Sequence, residues 1–146
     1  MSAASEPDVH RTTSAAQTEA LAAALVRELH APAIVLLHGE MGAGKTTFVR
    51  GACRALGVTE PVTSPTFTLA RRYDDGRVPV SHLDLHRLAG LDGEDPGLLA
   101  DYLTGAEIAF VEWPEVAEPQ LGPVAARVRL AHAGGDARDV TIEVAR

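Results

Sequence analysis

A short apolar run, Ala33-Ile-Val-Leu-Leu37, leads into Gly39-Glu-Met-Gly-Ala-Gly44-Lys45-Thr46, and a helix-forming stretch from Lys45 to Leu56 follows, closed by Gly57. This order constrains the fold more than any other feature of the chain. A continuous apolar run of that length suits a strand buried on both faces. The glycine-rich stretch fits G-x-x-x-x-G-K-[ST] at every fixed position, and strand, glycine-rich loop, helix is the context in which that pattern acts as a phosphate-binding P-loop. Lys45 is the only lysine, and the other twelve basic side chains are arginine. A compact ammonium fits a tight phosphate nest that a planar guanidinium does not.

The expected fold is therefore α/β, a P-loop NTPase-like three-layer sandwich with a mixed parallel and antiparallel central sheet. Two segments are expected: 1–12 as a disordered N-terminal stretch, and 13–146 as a single P-loop ATPase domain. At 146 residues the chain is long enough for one core. Met1 to Thr13 is polar with no apolar h-region, so it does not read as a secretory signal. No run of eighteen apolar residues predicts a membrane span. The single cysteine, Cys53, rules out an internal disulfide and suits a reducing cytoplasm; its place on the predicted P-loop helix reads as core. A net charge of −7 argues against direct binding to DNA or bare RNA, which needs a basic footprint. Arg71-Arg72 is an adjacent basic pair, either a solvated strand end or a contact for a partner's phosphate or carboxylate.

Elsewhere the periodicities are short. Thr12-Thr13-Ser14 offers an N-cap for a helix over about 15–30, with Leu21, Leu25 and Leu29 at four-residue spacing and Pro32 as its stop. Phe67 to Tyr73 and Val78 to Leu85 read as strands joined at Asp74-Asp75-Gly76, with Val78, Val80, His82 and Asp84 on one face. Gly90 to Gly97 reads as a polar loop and Leu98 to Leu103 as a short helix. Ile108 to Val111 reads as a buried strand, and the stretches 126–131 and 140–145 as a closing antiparallel hairpin.

The chemistry follows from these placements. Backbone N–H groups from Gly39 to Thr47 (Gly39, Glu40, Met41, Gly42, Ala43, Gly44, Lys45, Thr46, Thr47) are expected to face phosphate oxygens at a helix N-terminus. Lys45 would bridge the β- and γ-phosphates, the Thr46 hydroxyl would ligate Mg²⁺, and Thr47 would reach the α-phosphate. Two carboxylates, Asp84 and Glu112, close predicted strands, where ligands of open α/β sheets gather. Glu112 resembles a Walker-B acid that holds the metal's water shell or orients the attacking water, and Asp84 is a second metal-side acid. Either could instead cap a loop or pair with an arginine such as Arg87. Ser64-Pro65-Thr66 is either a γ-phosphate-sensing segment or a plain hydroxyl turn. Trp113 either stacks on adenine or covers the core. His82 and His86 flank Asp84, and zinc is not expected there. The chain has no N/T-K-x-D pattern, which favours ATP over GTP.

These elements resemble the TsaE (YjeE) ATPase family of tRNA threonylcarbamoyladenosine biosynthesis, over about Thr13 to Pro123. Gly39 to Gly51 is similar to its P-loop and helix start. Thr63-Ser-Pro-Thr-Phe-Thr-Leu69 with Tyr73 resembles its switch-like segment, His82-Leu-Asp-Leu-His-Arg-Leu88 its H-x-D-L-Y-R-L stretch, and Val111-Glu-Trp-Pro-Glu115 its V-E-W-P-E. His86 stands where the family usually has Tyr. The resemblance implies a cytoplasmic subunit that binds Mg-ATP, hydrolyses it slowly, and acts with TsaD and TsaB. Those partners transfer a threonylcarbamoyl group to N6 of adenosine 37 in tRNAs reading ANN codons, so tRNA is met only through the complex. Two other readings stand beside it: a P-loop small-molecule kinase with Gly90 to Gly97 as a lid, and a nucleotide-dependent binding module whose hydrolysis is incidental.

Overall fold

The structure is a computed structural model that describes residues 7–40, 42–63, 70–85, 102–116 and 121–145. Seven strands form one mixed sheet: β1 (Asp8–Thr12), β2 (Ala33–His38), β3 (Ala70–Tyr73), β4 (Val80–Asp84), β5 (Ile108–Glu112), β6 (Ala126–His132) and β7 (Arg138–Val144). Their spatial order is β1-β7-β6-β2-β5-β4-β3. Strands β6, β2, β5 and β4 run parallel, while β7, β1 and β3 add antiparallel edges. Two helices, α1 (Ala15–Arg27) and α2 (Lys45–Ala55), pack against each other and share one core with the sheet.

The pleat sorts each strand between two cores. Val35 and Leu37 of β2, Ile108 and Phe110 of β5, and Val80 of β4 join Phe48, Val49 and Ala52 of α2 in the larger core. Their neighbours Leu36, Val111 and Leu83 point the other way, into a second core with Leu85, Ala70 and Leu121. Tyr102, Leu103, Val124 and Ile34 pack against that second core. Both faces are covered, as a parallel sheet requires.

Local chemistry explains the helix boundaries. Ser14 caps α1 by accepting from the Gln17 N–H at 3.2 Å, and Gln17 Oε1 accepts from the Thr13 N–H at 2.7 Å, a capping-box exchange displaced by one residue. α1 stops at Arg27 rather than near His30. The Glu28 and Leu29 N–H groups turn back to Leu25 and Val26, tightening the last turn ahead of Pro32. Its buried face is Thr18, Ala22, Leu25 and Val26, with Leu21 and Leu29 on the flanks. Gly51 lets α1 and α2 touch: a Cβ there would lie 2.4 Å from the Glu19 carbonyl oxygen.

The N-terminal expectation requires correction. Residues 8–12 of the expected disordered 1–12 segment form β1, paired to β7 from Asp8↔Ile142 to Thr12↔Arg138. Only Thr12 is buried, so the strand carries no apolar alternation for a sequence reading to detect. Ladder hydrogen bonds hold it, with the Arg11 guanidinium forked onto Asp139. Among the described residues, no helix is long and apolar enough to cross a membrane.

At the start of β5, Glu107 is 3% exposed and accepts from the Thr104 N–H and Oγ1, the Gly105 N–H and Arg72 Nη1. Burial alone would push its carboxyl up, but these donors outweigh it and hold the value at about 2, against an ordinary 4.5. A depressed folded value stabilises the fold above the unfolded value, and the stabilisation is lost as pH falls toward 2. The contribution near neutrality is roughly 3 kcal/mol. Thermal melts of wild type and Glu107→Gln should therefore differ by that amount at pH 7 and converge between pH 4.5 and 2. Parallel curves across that range would contradict this role. Arg72, read as a strand-end or partner-contact cation, is occupied within the chain by Glu107 and Asp74.

Candidate functional site

Period-2 alternation aims three polar side chains at α2. His82 and Asp84 share the face of Val80 on β4, and Glu112 shares the face of Ile108 and Phe110 on β5, so all three emerge on the helix side of the sheet. Parallel register then lines them up. Leu37 of β2 is level with Glu112, and Glu112 with Asp84, at the carboxyl ends of adjacent strands. The loop that follows β2 closes over this row.

That loop begins at Gly39, where a Cβ would lie 2.7 Å from the Leu130 carbonyl oxygen of β6, so any side chain would push the loop off its neighbour. It ends at Gly44, the N-cap of α2, with φ 105° and ψ 16°, a left-handed conformation that favours glycine. The N-cap of α2 is a glycine with no side chain to accept from the first turn, where Ser14 caps α1, and no acidic residue occupies that first turn. Among the described residues no side chain takes up the first-turn N–H groups, and such a helix end is suited to an anion. Arg138 Nη2 of β7 donates to the Gly42 carbonyl at 3.3 Å and braces the loop from outside.

Lys45 is 6% exposed at the centre of the site. Its Nζ donates to the Gly39 carbonyl at 2.7 Å, lies 3.6 Å from Glu112 Oε1, and sits 4.5 Å from the Trp113 ring centroid. The other Glu112 oxygen, Oε2, meets His82 Nε2 at 2.5 Å. Glu112 is 4% exposed, Asp84 7% and His82 0%. A buried carboxylate is tolerable only when paired, and Lys45 and His82 supply the pairing. Trp113 has φ 55°, a left-handed backbone rare for a large side chain, and this turn places its ring on the lysine.

A cleft of about 240 Å³ opens beside the loop, lined by Leu37, His38, Gly39, Glu40, Trp113 and Glu115. His38 stands between Glu115 Oε1 at 2.8 Å and Arg127 Nη1 at 3.4 Å. Burial and then the nearby Arg129 lower its pKa, against the pull of Glu115. A neutral ring with Nδ1–H donating to Glu115 and bare Nε2 facing Arg127 satisfies both contacts.

The expected site thus comes together around Gly39, Gly42, Ala43, Gly44, Lys45, Thr46, Thr47, Asp84, Glu112 and Trp113. Trp113, read as either an adenine-stacking ring or a core cover, lies with its ring 4.5 Å from the Lys45 ammonium. Glu40 is exposed at the loop's outer rim. Met41, Ser64, Thr66, His86, Arg87, the Gly90 to Gly97 loop and most of the Leu98 to Leu103 helix lie outside the described residues. Cys53 is buried in the core, where burial pushes its thiol up to about 12, an inert group. Sequence reasoning did not foresee the His82–Glu112 contact. Its two-residue spacing from Asp84 was visible, but the adjacency of β4 and β5 was not.

The chain matches the family model described as threonylcarbamoyl adenosine biosynthesis protein TsaE over residues 12–140. It is 37% identical over 131 residues to the tRNA threonylcarbamoyladenosine biosynthesis protein TsaE of Bacillus subtilis (strain 168), covering 90% of this chain and 82% of that protein. It is 52% identical over 91 residues to the protein of the same name from Nostoc sp., covering 60% of this chain and 56% of that one. The crystal structure of YdiB from Bacillus subtilis superposes with a TM-score of 0.79 at 31% identity, over all of this chain and 88% of the other.

Proposed function

The chain belongs to the TsaE family, and from that premise we propose that it is the ATP-hydrolysing subunit of the machinery that makes N6-threonylcarbamoyladenosine at position 37 of tRNAs reading ANN codons. The family places it in that biosynthesis as a P-loop nucleotide-binding protein. The finer reading is that it binds ATP with Mg²⁺, hydrolyses it slowly, and restores the TsaD–TsaB transferase between rounds without performing the transfer itself. One arrangement carries this reading: an uncapped helix N-terminus with Lys45 and Glu112 in contact beside it.

The residues fit the groups they would hold. The loop and the first turn of α2 would present N–H donors to a triphosphate, and the Lys45 ammonium already lies against the start of the loop, on the Gly39 carbonyl. Asp84 and Glu112 are buried on adjacent strands with Thr46 in the facing helix turn, a hard oxygen set suited to Mg²⁺. Among the described residues, no group of three His, Cys, Asp or Glu side chains forms a protein-only metal cage. Mg²⁺ typically takes one or two carboxylates and completes its shell with phosphate and water. When bound, it would neutralise charge developing on the β- and γ-phosphate oxygens.

The chain's own groups divide the remaining work. Lys45 leaves Glu112 and the Gly39 carbonyl for the phosphates, keeping its charge within the same buried site. Glu112 then has an oxygen available to orient water and accept its proton as the γ-phosphoryl bond breaks. Trp113 covers the lysine and limits access of bulk water.

Reconstitution tests the role. With TsaB, TsaD, tRNA and a threonylcarbamoyl donor, adding this chain and ATP should convert about one round of modification into many. Equal turnover without the chain, or with it but without ATP, would overturn the proposal.

A further inference from the structure

Among the described residues, His82 is the only buried histidine, at 0% exposure. It lies on β4 two residues before Asp84 and one diagonal step from Glu112 on β5. A carboxylate only accepts hydrogen bonds, so the 2.5 Å contact requires a proton on His82 Nε2. The other nitrogen, Nδ1, is buried with no hydrogen-bond partner among the described residues. An apolar side chain of similar size would fill this place without burying an unmatched nitrogen. What the ring supplies instead is one directed donor, aimed at the acid of the site.

Glu112 is thereby held at both ends, Oε2 on His82 and Oε1 toward Lys45. Without His82 the carboxylate could rotate about its last bond and offer either oxygen to the lysine. We infer that His82 is a positioning residue for hydrolysis: its Nε2–H fixes Oε2 of Glu112, so that Oε1 alone faces the P-loop lysine and the phosphates. This rests on the ATP-hydrolysis reading above. His82 touches neither water nor nucleotide in the step; it sets the angle of the group that does. Ligand-orienting partners of this kind typically carry a 10- to 100-fold effect when removed.

His82→Leu keeps bulk and removes the donor, while His82→Gln restores an N–H at similar reach. Hydrolysis with the partner proteins and ATP affinity by calorimetry separate the two steps. His82→Leu should lower kcat by about 30-fold with affinity changed less than about 3-fold, and His82→Gln should recover most of the loss. Wild-type kcat in His82→Leu, or equal loss in both variants, would overturn the assignment. Nitrogen NMR of the wild-type ring is independent of variant folding: Nε2 must carry the proton, and a bare Nε2 would also overturn it. A wild-type chain that hydrolyses no ATP would defeat the parent reading, while the ring tautomer would still report whether the His82–Glu112 clamp exists.

Discussion

Lys45→Ala will lower ATP affinity by at least about 100-fold and abolish hydrolysis, the largest functional loss expected from one substitution in this chain. The ammonium is 6% exposed, and its present partners, the Gly39 carbonyl and Glu112, lie in the same buried site. Removing a buried charge from a hydrogen-bonded charge pair costs about 2–5 kcal/mol, and a factor of 100 in affinity is about 2.7 kcal/mol. Lys45→Ala also removes the cation beside Glu112, leaving His82 as its described partner next to Asp84, so the melting temperature should fall as well. Calorimetric titration at a temperature where circular dichroism shows the variant folded isolates the binding effect. Wild-type affinity in a folded Lys45→Ala protein would overturn the phosphate assignment.

Glu112→Gln should separate binding from chemistry. The amide is nearly isosteric, so its oxygen can still accept from His82 and the strand register remains, but it cannot take a proton. Hydrolysis should drop by about 100- to 1,000-fold, while ATP affinity stays within about one order of magnitude of wild type. Mixed with TsaB and TsaD, the variant should assemble in the presence of ATP and support about one round of tRNA modification. Sustained rounds would show that hydrolysis is dispensable and favour the binding-module reading. Loss of ATP affinity in parallel with rate would place Glu112 in ground-state binding instead.

The parts of the site that are contiguous in the chain were legible in the sequence. β2, the glycine-rich loop and α2 follow one another within two dozen residues, and local pattern alone places Lys45 at a helix N-terminus. Asp84 and Glu112 were also legible, because each closes a short predicted strand and parallel strands present their carboxyl ends together. Strand order was not. β5 lies between β2 and β4 although it follows both in sequence, and that insertion brings Glu112 to both Lys45 and His82. β1 escaped notice because an edge strand exposed on both faces has no hydrophobic alternation. The pairing of Glu107 with Arg72 escaped because the two residues lie 35 positions apart in the chain. The orientation of Trp113 depends on a positive φ that no residue preference would suggest for tryptophan. Gly51 is informative in retrospect: a glycine inside a helix weakens it, and close approach of Glu19 on α1 explains the choice.

The most direct measurement is steady-state ATP hydrolysis by the purified chain, alone and with TsaB and TsaD from the same source, with and without Mg²⁺. Slow basal turnover that requires Mg²⁺ and rises when both partners are present is the predicted result. Turnover indifferent to the partners, or phosphate appearing on a small-molecule acceptor rather than in solution, would contradict it.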